Sequence, residues 1–312
     1  MSFDLLRLIA AAMVVFSHCF PLAGKPAVTL WGVEDFGALG VSIFFVISGY
    51  LVCGSYQRDP KTYLWKRLLR IEPALIASLI VTVAALAFLT TAPQAEYWPA
   101  AASYVLRNAL LYPATYELPG LFQGNPVPGV VNGVLWTLRL EFTFYLALMV
   151  IRARLSFVLA AAIVCATLYV IVGAAVPDWA DARWSRVAFL VGRNGFLFFA
   201  GAALWLLKPR IAAWLAATSW AAFPLAGPLA LPTAVIGLAR PGKLPADLSY
   251  GLYIYAFPVQ QVLAAYGQLS VFTAFACVLP LAAFSWFLVE KPAHRLKPPS
   301  RPEKPALPAR ER

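Results

Sequence analysis

Along most of the chain, apolar residues run on for about 17 to 25 positions before polar or charged ones interrupt them, long enough to cross a ~30 Å hydrocarbon core. The helices of a soluble bundle would instead show a polar face every 3.6 residues. Ten such spans are predicted, near 4–22, 36–54, 73–91, 134–152, 155–176, 187–207, 210–222, 224–239, 246–267 and 270–290. The seventh and eighth are the shortest. One long interruption, residues 92–133, contains "ELPGLFQGNPVPGVVNG", whose Pro and Gly density excludes a continuous span. Just before it, "YWPAAASYVLRNALLY" predicts an amphipathic helix lying in the membrane interface. A loop of this length with this aromatic content points to a function.

Composition agrees with the pattern. Of 312 residues 61% are hydrophobic and only 12% charged, and mean hydropathy is +0.73. These values describe an integral membrane protein. Charge then orients it, because short cytoplasmic loops collect Lys and Arg. With the N-terminus inside, 18 of the 25 basic residues fall in inner loops or the C-terminal tail. Only Lys25, Arg107, Arg183 and Arg186 fall outside. The expectation is an all-α polytopic membrane protein with about ten transmembrane helices and both termini cytoplasmic. Its transmembrane domain covers 1–290, followed by a basic, Pro-rich tail over 291–312 with the composition of a disordered segment. The net charge of +11 is then topology, not a nucleic-acid footprint. The first span lacks a basic leader, so it is retained rather than cleaved. Cys19, Cys53, Cys165 and Cys277 lie too far apart for a thiolate metal set, and no metal is expected.

Three sets of charges stand out against this apolar background. Arg7 and His18 are eleven positions apart, three helical turns plus about 20°, so they share one face about 16 Å apart along the axis. Asp4 lies one turn before Arg7 and can pair with it. Arg7 could simply snorkel to the headgroups, whereas a His deep in a span marks a cavity or a chemical path. Glu141, in "LWTLRLEFTFYL", is a carboxylate well inside the fourth span and needs a partner. Arg139 points to the opposite face, which leaves His18 or a substrate. Arg67 and Arg70, in "KRLLRIEP", face one way at the start of the third span, a geometry that suits bidentate phosphate contacts. The orientation rule alone would also put them there.

Five blocks, "FDLLRLIAAAMVVFSH", "GVSIFFVISGYLV", "KRLLRIEP", "LWTLRLEFTFYL" and "DLSYGLYIYAFPVQQ", resemble the acyltransferase-3 family of membrane-bound acyltransferases, in the family's order from residue 3 to "VEKPAHRL". The resemblance implies a roughly ten-helix enzyme of a bacterial-type cytoplasmic (inner) membrane. It would move an acyl group, usually acetyl from acetyl-CoA, to a hydroxyl of an extracytoplasmic carbohydrate or glycolipid. By the same resemblance Arg7 and His18 match the family's Arg-x10-His motif, with the His essential, and Arg67 and Arg70 match an Arg-x-x-Arg motif that meets CoA phosphates. Glu141 matches the acidic position after the Trp-Thr-Leu block. Many members carry a His where this chain has Ala256, and His294 falls in the tail, so His18 is expected to be the one histidine available in the membrane.

Chemistry and resemblance combine into one scheme. Arg67, Arg70 and Arg7 hold the donor phosphates at the inner face, and the pantetheine arm runs along the first helix to His18. His18 acts as general base, tuned by Glu141, or is itself transiently acylated. The competing class is a proton-coupled transporter using intramembrane Arg, His and Glu, although the internal symmetry common in such folds is not visible in the chain.

Overall fold

The computed structural model describes residues 1–112, 115–176, 182–209, 211–240 and 242–298. Ser2 caps the first helix by accepting from the Leu5 amide at 3.1 Å, and Asp35 caps the second by accepting from Ala38 at 2.9 Å. The helices are α1 (Phe3–His18), α2 (Phe36–Arg58), α3 (Tyr63–Leu86), α4 (Gln94–Ala109), α5 (Leu135–Val150), α6 (Leu155–Ala175) and α7 (Arg183–Leu207). The short α8 (Ala213–Ala221), α9 (Phe223–Ala226) and α10 (Leu231–Leu238) follow, then α11 (Ser249–Ala265), α12 (Val271–Ser285) and α13 (Lys291–Arg295). The named strands among the described residues are β1 (Thr29–Leu30) and β2 (Glu34–Asp35), a small antiparallel hairpin that leads into α2.

At the centre, α2 packs against α1 and α7, while α11 packs against α1 and α12. A Cβ added at Gly49 would strike the Phe198 carbonyl, and one at Gly201 the Val46 carbonyl, so the backbones of α2 and α7 touch. Close approach through small residues is how helices associate where lipid removes the hydrophobic drive. Gly201→Leu should therefore separate the two helices at a cost of about 3 kcal/mol or more. Thermal unfolding in detergent at the wild-type temperature would contradict this contact.

The all-α, membrane-type architecture is as expected, but the count of ten spans is not reached. Among the described residues six helical segments are long and apolar enough to cross, namely Phe3–Ala23, Phe36–Arg58, Tyr63–Leu86, Leu155–Ala175, Arg183–Leu207 and Val271–Arg295. The expected seventh and eighth spans form one unit bent by 50°, which would make seven. Pro224, just past the break at Ala222, accounts for it, since proline removes an amide donor from a helix. The expected spans at 134–152 and 246–267 are present as α5 and α11, with only 16 and 17 helical residues. Most residues of α11 are buried against other helices, so its short length is matched to protein rather than to lipid. By contrast α6 leaves most of its apolar side chains outward.

The amphipathic helix expected before the Pro- and Gly-rich stretch is α4, which buries Tyr97, Ala101, Tyr104 and Asn108 along one face. The loop after it is strapped to α11. Gln261 donates to Val127 O at 2.8 Å and Val130 O at 2.6 Å, and Asn132 donates to Ile254 O at 3.0 Å. At the far end, a π-helical turn over Trp286–Glu290 carries α12 directly into α13. Residues 291–295, expected as the start of the tail, are thus helical, while 299–312 lie outside the described residues.

Candidate active site

Two cavities lie end to end inside the bundle. The first, about 680 Å³ including its open mouth, is lined by Arg7, Arg67 and Arg70 together with Glu141, Tyr145 and Tyr250. The second, about 600 Å³ on the same measure, is lined by His18, Asp35, Arg193 and Trp136. Three residues belong to both, Val41, Thr137 and Tyr253. They come one each from α2, α5 and α11. Along α2 the lining passes from Asp35 and Ala38 through Val41 to Phe44 and Phe45, and along α5 from Val134 and Trp136 through Thr137 to Glu141 and Tyr145.

In the arginine-lined cavity the three guanidinium groups differ in how far they are already engaged. Arg70 is committed: it pairs with Asp247 at 2.8 Å and with Glu290 at 3.9 Å, and its Nη1 lies 3.4 Å from His294 Nε2. Arg67 Nε is buried with no hydrogen-bond partner. Arg7 makes no ion pair among the described residues, because Asp4, its expected partner, accepts from the Leu244 amide at 3.1 Å instead. Lys297, just past α13, lies near enough to these arginines to feel their charge. Burial, and then repulsion from Arg70, Arg67 and Arg7, pull its amine down to about 7. Cations left without an acidic partner form a receptor for a polyanion. Sequence reasoning missed Lys297 and misplaced His294. The helix continues through the π-helical segment into α13, so His294 reaches Arg70 rather than remaining in a detached tail.

Glu141 is held by two hydroxyls, accepting from Ser48 Oγ and Tyr145 OH at 2.5 Å each. It lines the arginine cavity and not the cavity of His18, so the expected contact with His18 is absent. The reason is axial: one helical turn past Thr137, about 6 Å, carries Glu141 beyond the residues shared by the two cavities. Arg139 turns away as expected, donating to the Tyr116 hydroxyl at 3.3 Å and lying over the Tyr112 ring.

In the second cavity His18 keeps a buried Nδ1 with no hydrogen-bond partner and sets its ring edge-on to Phe257, with centroids 5.3 Å apart. The carboxylate beside it is Asp35. Ser17 Oγ and the Ala38 amide both donate to Asp35 Oδ1, at 2.9 Å each. Arg193 is paired with Glu34 and donates to Ser42 Oγ at 2.6 Å and Ala38 O at 3.1 Å. Asp35 could have been read as a helix cap, being an Asp directly before an apolar run, but nothing in the chain marks it as a neighbour of His18.

A family profile described as an acyltransferase domain matches residues 2–289. The chain belongs to the acyltransferase-3 family. Two curated relatives cover it almost end to end. Nodulation protein 10 of Rhizobium leguminosarum bv. viciae is 33% identical over 95% of this chain and 94% of that protein. The O-acetyl transferase of Shigella phage Sf6 is 31% identical over 93% of this chain and 94% of its own length. No solved structure matches. The acyltransferase is accordingly an O-acyltransferase that takes an acyl donor. Among the described residues of the acyltransferase, no group of three or more His, Cys, Asp or Glu could hold a metal ion.

Proposed function

We propose that the acyltransferase moves an acyl group, with acetyl as the first choice, from cytoplasmic acyl-CoA to a hydroxyl of a carbohydrate or glycolipid on the other face of a bacterial-type inner membrane. The observation that carries this reading is the pair of cavities that share Val41, Thr137 and Tyr253. One is lined by arginines and the other by a histidine with an unpartnered nitrogen. A CoA donor fits the first. Its phosphates need cations that are not already paired, and Arg7 and Arg67 Nε supply them. The pantetheine arm must then span the rise from Arg7 to His18, about 16 Å along one unbroken helix. The phage relative's name, O-acetyl transferase, supports acetyl as the group carried.

In the second cavity His18 takes the proton of the acceptor hydroxyl as it attacks the thioester, and Asp35 steadies the imidazolium that forms. Asp35 replaces Glu141 in this role because it lines the same cavity. Glu141, already accepting from two hydroxyls, braces the wall beside the donor. Transient acylation of His18 leads to the same products by two steps instead of one. The proton-coupled transporter reading has no observation in its favour beyond the buried charges, and the family assignment speaks against it.

Two measurements test the scheme. Acyl transfer from radiolabelled acetyl-CoA to glycan and lipid fractions should appear in membranes carrying the wild-type chain and be absent from those without it. Cysteine labelling in a cysteine-free background should find position 62 on the cytoplasmic side and position 125 outside. Labelling of both from one side would remove the path proposed for the pantetheine arm.

A further inference from the structure

Resting on the donor and acceptor reading above, we propose that the Tyr253 hydroxyl, positioned by Thr137, donates the hydrogen bond that stabilises the thioester carbonyl oxygen during transfer. The three residues common to both cavities are Val41, Thr137 and Tyr253. A carbonyl passing from one reactant to the other meets these three side chains. Val41 offers no polar atom, so the two hydroxyls are the side-chain donors at that boundary. Both are buried, Thr137 at 5% and Tyr253 at 6% exposure, where a fixed dipole acts more strongly than in water.

The hydrogen bonds around the pair set up a relay. Thr137 Oγ1 lies 2.9 Å from Val134 O, to which it donates, and 2.6 Å from the Tyr253 hydroxyl. With Thr137's proton on the carbonyl, Tyr253 donates to Thr137. When an acyl carbonyl arrives, Tyr253 turns its proton to the substrate oxygen, and Thr137 turns its own from Val134 O to Tyr253. Every hydroxyl keeps a partner and no charge crosses the wall. The Tyr253 ring stays in place through its edge-on packing with Phe44, centroids 5.6 Å apart.

In the reaction the acceptor oxygen forms a bond to the thioester carbon as its proton passes to His18. The carbonyl oxygen takes the electron pair of the C=O π bond and accepts from Tyr253. The C=O bond reforms, the C–S bond breaks, and the leaving thiolate takes the proton back from His18. Ester and free thiol result, and His18 ends as it began.

The experiment compares Tyr253→Phe, Thr137→Val and Thr137→Ser with wild type in purified full-length protein. Three quantities are read: kcat for acetyl transfer, the Kd of acetyl-CoA by direct binding, and the unfolding temperature. Tyr253→Phe should lower kcat by about 10²- to 10³-fold, the loss typical of one oxyanion donor, with acetyl-CoA Kd and unfolding temperature unchanged. Thr137→Val should lower kcat by a smaller factor, and Thr137→Ser, which restores the hydroxyl, should recover it. Transfer by Tyr253→Phe within three-fold of wild type would overturn the proposal. So would a fall in kcat matched by lost donor binding and stability, which is a packing effect. Failure of wild type to transfer from acetyl-CoA, in contrast, would overturn the donor reading itself.

Discussion

His18→Gln is expected to lose about two to four orders of magnitude in acyl transfer, the range for a lost acid–base group, while expression and acyl-CoA binding stay near wild type. Gln keeps much of the shape of His and can still hydrogen-bond, but it has no nitrogen that takes up a proton near neutral pH. Donor affinity should survive because the cations that hold the phosphates belong to the other cavity, beyond Val41, Thr137 and Tyr253. Glu141→Gln should cost far less, since an amide oxygen can still accept from Ser48 and Tyr145. The check is radiolabelled transfer in membranes, alongside direct binding of acetyl-CoA to each purified variant. Near wild-type transfer by His18→Gln would reduce His18 to a packing residue beside Phe257.

Arg67 and Arg70 should separate under alanine substitution, although they are three residues apart on one helix. Arg70 lies between Asp247 and Glu290, whose side chains are only 10% and 1% exposed. Removing it strands two buried carboxyl groups, a loss of about 3 to 5 kcal/mol, so Arg70→Ala should fail to accumulate as a folded protein. Arg67 makes no ion pair among the described residues, and its Nε has no partner to strand. Arg67→Ala should therefore keep its unfolding temperature and raise the acyl-CoA Kd about ten-fold or more, as expected for one charged hydrogen bond. Added salt should weaken wild-type donor binding more than it weakens binding to Arg67→Ala. Equal donor affinity in Arg67→Ala and wild type would leave Arg67 as an orientation signal. A stable Arg70→Ala would show that Asp247 and Glu290 find other partners.

Much of the protein is legible in the chain because its signals are local. Apolar runs identify membrane-type helices without reference to their neighbours, and the 3.6-residue period puts Arg7 and His18 on one face of α1. The same period reads α4 as amphipathic. The five blocks suffice to assign the family. The count of ten spans is a local inference that the structure does not confirm. Length and hydropathy cannot tell a helix shaped to lipid from one such as α11, shaped to protein on nearly every side, nor two spans from the bent pair 213–238.

What only the tertiary structure decided concerns partners. Asp35 and His18 lie on different elements and share a cavity because the β1–β2 hairpin returns the chain beside the end of α1. Glu141 is diverted to Ser48, 93 residues away, and Asp4 to the backbone of Leu244. Arg70 is claimed by acids from two later segments, and the chain after α12 brings His294 and Lys297 to the arginines. A charge buried among helices takes whichever partner lies within about 4 Å, and that distance is set by how helices cross, not by spacing along one of them. The sequence by itself determined which helices form, which family the chain joins and which residue types it carries into the membrane. Which of those residues meet, and that they divide into two cavities with Thr137 and Tyr253 between them, depended on packing that no local pattern encodes.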